Sequence, residues 1–185
     1  MSRGATFRLM SGAGLTLRRL ESKAELAPAG RLAREYGEWA LARAGAEYGV
    51  LPKGERMRRQ VSGGLEELLE GHGRLYLAEV GAEPAGLVGL KPLPDGIGEV
   101  KHLYVRPEFR GHGVARALLQ RLIEEARSLG YRLLCLETTA FMPEAQALYR
   151  KFGFVETSAY EGGEFGDIPG AAAILTFMEL ALGTG

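Results

Sequence analysis

The 185-residue sequence has little cysteine, no excess of charge of either sign and no long apolar run. Its single cysteine, Cys135, excludes an internal disulfide and is typical of a protein from a reducing compartment. The 23 basic and 23 acidic residues balance, so no overall field attracts nucleic acid or an anionic membrane. No apolar run approaches the roughly 20 residues of a spanning helix, and the N-terminus lacks the core of a signal peptide. We therefore expect a cytoplasmic protein that binds neither nucleic acid nor membrane.

The length is that of one ordinary domain with a real core. Residues 1 to 14 are rich in small residues and show no periodicity, which predicts a flexible N-terminal tail before a single domain at 15–185. A first strand is expected in LTLRRLES. Apolar residues at helical spacing then predict one helix after Pro28 and a second helix, interrupted by two glycines, over residues 57–68.

The remaining segments alternate between strand and helix patterns. RLYLAEV, AGLVGLK and GEVKHLYV predict three consecutive strands that form an antiparallel meander. An amphipathic helix follows from Val114 and stops at Gly130, and YRLLCLETT then predicts a buried central strand. A helix that connects strands at 98–105 and 131–139 makes those strands parallel neighbours. The order predicts a mixed α/β (α+β) fold with a mostly antiparallel sheet.

The C-terminal part begins with a second helix that Pro143 opens and Gly153 ends. Two further strands are expected in residues 154–160 and 171–180, and the acidic, glycine-rich segment between them is predicted to be a loop. The last strand is apolar enough to pair across a homodimer.

The segment VRPEFRGHGVARALL, residues 105–119, places two glycines directly before the amphipathic helix. Gly111 and Gly113 lack the β-carbons that would keep a ligand away from the main chain, and the start of a helix has free N–H groups. These groups and the helix dipole attract anions, so the segment is a candidate phosphate-binding loop. Taken alone, it is equally consistent with a tight turn in which glycine is required for steric reasons.

Two motifs together resemble a known family. RGHGVA, residues 110–115, matches the Arg/Gln-x-x-Gly-x-Gly/Ala acyl-CoA loop of the GCN5-related N-acetyltransferase (GNAT) superfamily, and AQALYRKFGF is similar to its later helix. The likeness extends over about residues 15–183 and is specific over 98–156. It implies the acyl-CoA N-acyltransferase fold, with helices on both faces of the sheet and a splayed parallel pair at its centre. It also implies that acetyl-CoA is the cosubstrate and that its pyrophosphate binds at the glycine loop.

Glu99 is the candidate general base. An ordinary primary ammonium has a pKa near ~10, so an acceptor amine must lose a proton before it attacks a thioester. Alternation predicts that Lys101 and Leu103 share the face of Glu99 on the strand that leads into the loop. Members of the superfamily that resemble this chain often use a Glu at this place, directly or through water. The alternative is a solvated or edge-strand carboxylate paired with Lys101.

Tyr149 is the candidate general acid. The leaving thiolate needs a proton, and the resemblance places this tyrosine close to the thioester sulfur. Its spacing to Gly153 and Phe154 fits the superfamily pattern. The alternative is a core tyrosine packed beside Leu148 and Phe152.

The resemblance also implies contacts with the rest of the cofactor. The pantetheine arm is expected along the main chain of Leu103 and Val105, where the Val105 N–H also polarises the acetyl carbonyl. Arg110 and, one turn into the helix, Arg116 are candidate phosphate contacts, although surface charges are more often only solvated.

His112 and Met142 complete the predicted cofactor residues. His112 occupies a variable position of the loop near the phosphate, and Met142 stands where many relatives carry an Asn that holds pantetheine. None of the three histidines has a carboxylate or cysteine at ligand spacing, so no metal site is expected.

The predicted reaction is acetyl transfer to a primary amine of a small molecule or peptide, by direct attack in a ternary complex. The alternative is a non-catalytic acyl-CoA-binding regulatory module. A P-loop nucleotide site is excluded because Gly-Val-Ala follows the loop in place of Gly-Lys-Ser/Thr. Glu161, Glu164 and Asp167 would favour a cationic acceptor, or are simply a solvated loop.

Overall fold

A computed structural model of the protein describes residues 5–8, 14–49, 64–160 and 174–183. Eight described strands form one sheet in the order β1-β2-β3-β4-β5-β6-β8-β7. The strands are β1 (Ala5–Arg8), β2 (Gly14–Leu20), β3 (Arg74–Val80), β4 (Glu83–Leu93), β5 (Ile97–Val105), β6 (Leu133–Thr139), β7 (Val155–Thr157) and β8 (Leu175–Ala181). The α-helices are α1 (Leu26–Tyr48), α2 (Val114–Ser128) and α3 (Pro143–Lys151).

The parallel pair of strands at the centre of the sheet is confirmed. Strands β1 to β5 pair antiparallel in chain order, and β8 pairs antiparallel with both β6 and β7. Strands β5 and β6 pair parallel, because the α2 connection returns the chain to the same end of the sheet. Their register runs only from Ile97–Leu133 to Glu99–Cys135, although β5 continues to Val105. The two strands therefore diverge.

Helices cover both faces of the sheet, as the family resemblance implied. Helix α2 buries its apolar stripe, which includes Leu118, Leu119 and Leu122, in one core cluster with β4, β5 and β6. Helix α1 buries Leu32 in a second cluster on the opposite face, together with Leu87 of β4. Burial of each such side chain contributes about 1.5–3 kcal/mol relative to exposure, which makes packing the main source of helix stability here.

A β-bulge interrupts β5 at His102. Between two paired positions β4 advances by two residues, Leu87 to Gly89, whereas β5 advances by three, Tyr104 to Lys101. His102 lies in the left-handed region, with φ 53°. The extra residue reverses the alternation of side chains beyond it.

The bulge corrects one prediction. Leu103 packs against the α2-side cluster together with Val100 and Val105, whereas Tyr104 belongs to the α1-side cluster. The expectation that Leu103 shares the face of Glu99 is therefore wrong. Lys101, which precedes the bulge, does share that face, and its Nζ lies 3.4 Å from Glu99 Oε1.

Two further expectations need correction. Residues 5–8 of the predicted flexible tail form β1, which pairs with β2. The prediction of a second N-terminal helix is wrong for the residues of that segment that the structure describes, which hold only a short 3-10 helix, Glu67–Leu69. Its earlier part lies outside the described residues, as does the acidic loop at 161–167. The boundaries of the single domain stay a prediction.

Candidate acyl-CoA site

The glycine loop leaves the start of α2 uncovered. Gly111 and Gly113 have φ of 78° and 82°, in the left-handed region that favours glycine. Gly113 is the N-cap residue of α2 and makes no side-chain capping bond. A β-carbon added at either glycine would meet no atom within 4 Å, so the space above the loop is open. The first N–H groups of the helix therefore face a region that an anion can enter.

A pocket of about 510 Å³ opens beside this loop. Its walls come from the end of β5, the loop itself, the start of α3 and one face of α1. Eight of the ten predicted cofactor residues line it: Leu103, Val105, Arg110, Gly111, Gly113, Val114, Ala115 and Met142. The other two, His112 and Arg116, are exposed beside the loop.

Arg110 turns into the pocket. Its Nε donates a hydrogen bond of 2.9 Å to the Val105 carbonyl oxygen. Its guanidinium lies 5.8 Å from the centroid of the Trp39 ring and 6.0 Å from that of Tyr104. These cation–π contacts and the hydrogen bond hold the Arg110 side chain across the end of β5. In this arrangement the hydrogen bond ties Arg110 to the end of β5, and the residue as a whole stays exposed.

Three residues of α1 form a wall of the pocket that the sequence analysis did not assign to the site. They are Tyr36, Trp39 and Arg43. The guanidinium of Arg43 lies 5.9 Å from the centroid of the Trp39 ring, which thus interacts with two arginines. The sequence signal was the spacing of these residues, since positions three and four apart share one helix face. It indicated a buried face and did not indicate which face lies over a pocket.

Met142 connects the wall of α1 to the end of β6. Its Sδ accepts weak hydrogen bonds from Tyr36 Oη at 3.9 Å and from Thr138 Oγ1 at 4.0 Å. Its backbone N–H donates to the Thr139 carbonyl at 3.0 Å. The methionine therefore fills an apolar corner of the pocket, and its side chain offers only a weak acceptor where an Asn would offer an amide.

Glu99 is fully buried, with 0% of its surface exposed. Its Oε1 accepts a hydrogen bond from Tyr160 Oη at 2.9 Å and lies 3.4 Å from Lys101 Nζ. Burial excludes a solvated carboxylate and the place of β5 inside the sheet excludes an edge-strand charge, whereas the pairing with Lys101 that the alternative named is present. Glu99 is not among the residues that line the pocket. It lies on the α1-side face of β5, at the point where β6 diverges.

Tyr149 is buried in the α2-side core, and its ring lies 5.6 Å from that of Phe154. Burial raises the pKa of its hydroxyl well above the usual value, and the charge of Tyr36 adds to the effect. The hydroxyl thus stays protonated at neutral pH. Tyr149 itself does not line the pocket, although Leu148 beside it does.

Cys135 pairs with Glu99 in the parallel register and is buried. Burial, with the charge of Glu99 as the next cause, raises the pKa of its thiol to about 12. The thiolate is the nucleophilic form, so this cysteine is unreactive at neutral pH. Among the described residues, no three His, Cys, Asp or Glu side chains gather as metal ligands would. None of the described helices is long and apolar enough to cross a membrane.

An open mixed sheet, a diverging parallel pair and an uncapped glycine loop before the intervening helix define the acyl-CoA N-acyltransferase class of fold. A GNAT-family acetyltransferase from Staphylococcus aureus Mu50 has this fold, with a TM-score of 0.69 at 17% identity, over 90% of this chain and 99% of its own. The yncA protein of Salmonella typhimurium, solved with its cofactor acetyl-CoA, aligns with a TM-score of 0.62 at 22% identity, over 92% of this chain and 95% of its own.

Residues 34–154 match the acetyltransferase (GNAT) family, and the chain belongs to this family. An IAA acetyltransferase from Azospirillum brasilense is 40% identical over 87 residues, which are 47% of this chain and 53% of that protein. N-acetyltransferase 8F1 of Rattus norvegicus is 34% identical over 94 residues, 48% of this chain and 42% of that protein. The chain thus spans about half the length of these curated relatives.

Proposed function

We propose that the protein transfers the acetyl group of acetyl-CoA to a primary amine by direct attack in a ternary complex. One observation carries the proposal: the uncapped glycine loop at the start of α2 opens into a pocket that follows the end of β5. Membership of the GNAT family supports the cosubstrate.

The pyrophosphate is proposed to bind at residues 110–115, where main-chain donors meet the positive end of the α2 dipole. The pantetheine arm would extend along Leu103 and Val105, because β6 no longer pairs with β5 beyond Glu99. An extended amide chain can hydrogen-bond to such a strand edge. The Val105 N–H would polarise the acetyl carbonyl, while the Val105 carbonyl oxygen accepts from Arg110.

The reaction forms one bond and breaks one bond. The amine nitrogen bonds to the acetyl carbon, and the tetrahedral intermediate collapses with loss of the C–S bond. We assign Glu99 as the base that takes the amine proton, directly or through water, and Tyr149 as the acid that protonates the thiolate. The raised pKa of Cys135 argues against an acyl-cysteine intermediate and supports direct attack.

The acceptor is proposed to be a small molecule or a peptide that presents a primary amine. Cytoplasmic location, a homodimer, and the absence of nucleic-acid, membrane and metal binding stay predictions.

The test measures thiol release from acetyl-CoA with a panel of primary amines. The panel contains spermidine, the common amino acids, a peptide with a free N-terminus and an aminoglycoside. We expect at least one amine to give turnover, with double-reciprocal lines that intersect as a ternary complex requires. Parallel lines would indicate an acyl-enzyme and contradict direct attack. Tight binding of acetyl-CoA without thiol release for any amine would favour the non-catalytic binding module.

A further inference from the structure

Tyr160 lies directly beside the buried carboxylate of Glu99. Its hydroxyl donates a hydrogen bond of 2.9 Å to Glu99 Oε1, the same oxygen that Lys101 Nζ approaches at 3.4 Å. The ring of Tyr160 packs edge-on against Phe177 of β8, with centroids 5.9 Å apart. The hydroxyl is therefore positioned by ring packing that does not depend on the hydrogen bond itself.

Glu99 lies in a row of paired residues that crosses the α1-side face of the sheet. It pairs with Lys91 of β4 and with Cys135 of β6, and directly paired residues project from the same face. Among the described residues, the titratable groups of this face around Glu99 are Lys91, Lys101, Cys135, Glu137, Tyr160 and Glu179. Charges of both signs surround the carboxylate, and Tyr160 is the group whose contact can be removed without a change in charge.

We propose that Tyr160 is a positioning residue whose hydroxyl orients the Glu99 carboxylate and stabilises its ionised form. This proposal rests on the proposed role of Glu99 as the base. A base accepts a proton only in its ionised form, and a donor bound to a carboxylate oxygen favours that form. Charge-assisted hydrogen bonds of this kind are roughly twice as strong as neutral ones. The hydroxyl therefore counteracts part of the free-energy cost of burying the ionised Glu99 carboxylate.

Tyr160 acts as a donor and not as a second base. Burial raises the pKa of Tyr160 far above its ordinary value, and the charge of Glu99 adds to the effect. The hydroxyl consequently stays protonated at any pH at which the protein is assayed. The thiol of Cys135, with its pKa raised to about 12, also keeps its proton. Neither group competes with Glu99 for the proton of the amine.

Tyr160→Phe removes the hydroxyl and keeps the ring against Phe177. Carbon-13 NMR of protein labelled at the glutamate carboxyl carbons follows Glu99, whose signal is assigned by its loss in Glu99→Gln. We expect the titration of Glu99 in Tyr160→Phe to move to higher pH by about one unit, because the ionised form loses a donor. Tyr131→Phe is the matched control, since its hydroxyl donates to the His72 carbonyl at 3.2 Å.

The same variants are compared in the thiol-release assay, with the panel amine of highest turnover. In Tyr160→Phe the acidic limb of kcat/KM should move to higher pH by the same interval, so kcat/KM at a fixed pH on that limb should fall about tenfold. The KM for acetyl-CoA should not change, because the pocket keeps its lining. Tyr131→Phe should leave the pH profile where it is in the parent protein.

An unchanged Glu99 titration in Tyr160→Phe would overturn the proposal, because the hydroxyl would then have no influence on the carboxylate. A shifted titration with an unmoved rate profile would also overturn it, since Tyr160 would then act on a group outside the reaction. The NMR measurement needs no acceptor. A lack of turnover with every panel amine would therefore contradict the proposed function, while the NMR titration alone would decide whether Tyr160 controls Glu99.

Discussion

Glu99 and Cys135 are the last residues in register between β5 and β6, and the two strands diverge beyond them. Among the described residues, the divergence leaves the edge of β5 from Val100 to Val105 without a parallel neighbour, and the pocket follows the end of this edge. The proposed base thus lies at the fork of the strands, while the proposed cofactor contacts lie along the free edge.

Gly113→Val should abolish the binding of CoA without unfolding the protein. The new side chain has open space, yet it would occupy the region through which a phosphate approaches the N–H groups of α2. A valine at a positive φ costs about 1–3 kcal/mol of stability. The control Gly130→Val, at the other end of the helix, carries the same cost because Gly130 also has a positive φ. Calorimetry measures affinity, with fluorescence of the sole tryptophan, Trp39, as a second readout. Equal affinity in both variants would refute the loop assignment.

Glu99→Gln should lose rate chiefly at low pH. There an ammonium acceptor most needs a base, and activity should recover in part as pH rises toward the amine pKa near ~10. The measurement is kcat/KM against pH. Glu79→Gln, which alters a carboxylate on β3 that pairs with Arg18, is the control and should keep the parent profile. A loss in Glu99→Gln that is equal at every pH would argue against proton transfer to Glu99.

Tyr149→Phe should keep the affinity for acetyl-CoA and lower kcat by about 10²-fold, because it removes a proton donor while it keeps the ring against Phe154. Binding is measured by calorimetry and kcat by thiol release with a panel amine. Tyr131→Phe, in the same core cluster, shows the effect of losing a buried hydroxyl elsewhere. Activity within about twofold of the parent would assign proton delivery to water.

Arg116→Ala should weaken CoA binding several-fold at low ionic strength and much less at 1 M salt, where the Debye length is about 3 Å. Arg116 is exposed one turn into α2, so its contact with a phosphate would be screened by ions. Arg127→Ala changes an exposed arginine at the far end of the same helix and should have no effect. A loss that does not depend on salt would contradict a purely electrostatic contact.

Glu125→Gln should lower the free energy of unfolding by about 2–3 kcal/mol at neutral pH. Glu125 accepts hydrogen bonds from Arg74 Nε at 2.9 Å and from Tyr76 Oη at 2.9 Å. Burial opposes its ionisation, but these bonds outweigh burial and hold the pKa of the carboxyl below its usual value. Glu124→Gln, an exposed neighbour, should change stability by less than about 0.5 kcal/mol.

The stabilisation by Glu125 depends on pH in a defined direction. A carboxyl whose pKa is lower in the folded state stabilises the fold above its unfolded pKa, near ~4.3, and this contribution is lost as pH falls through the folded value. The difference between parent and Glu125→Gln in urea unfolding should therefore shrink below about pH 4. A difference that stays constant to pH 2 would show that the carboxylate charge contributes nothing.

Local patterns in the sequence determined the elements and the glycine loop. The apolar stripe of α2 and its stop at Gly130 follow from helical periodicity and from glycine in a left-handed cap. The parallel pairing of β5 and β6 follows from the helix between them, because such a connection returns the chain in the same direction. Eight of the ten predicted cofactor residues line one pocket, and five of these eight belong to the contiguous segment 110–116, which turns as one loop into the start of α2.

How the faces of the helices and strands meet depends on tertiary packing. The bulge at His102 reverses side-chain alternation, which period-two reasoning cannot anticipate, and it separates Leu103 from the face of Glu99. The packing of α1 on the sheet brings Trp39 against Arg110, which is distant from it in the chain. Contacts at such separation depend on how elements dock, and no local propensity encodes them. The same holds for Tyr160, which reaches Glu99 only because β6 and β8 pair in the sheet beside β5.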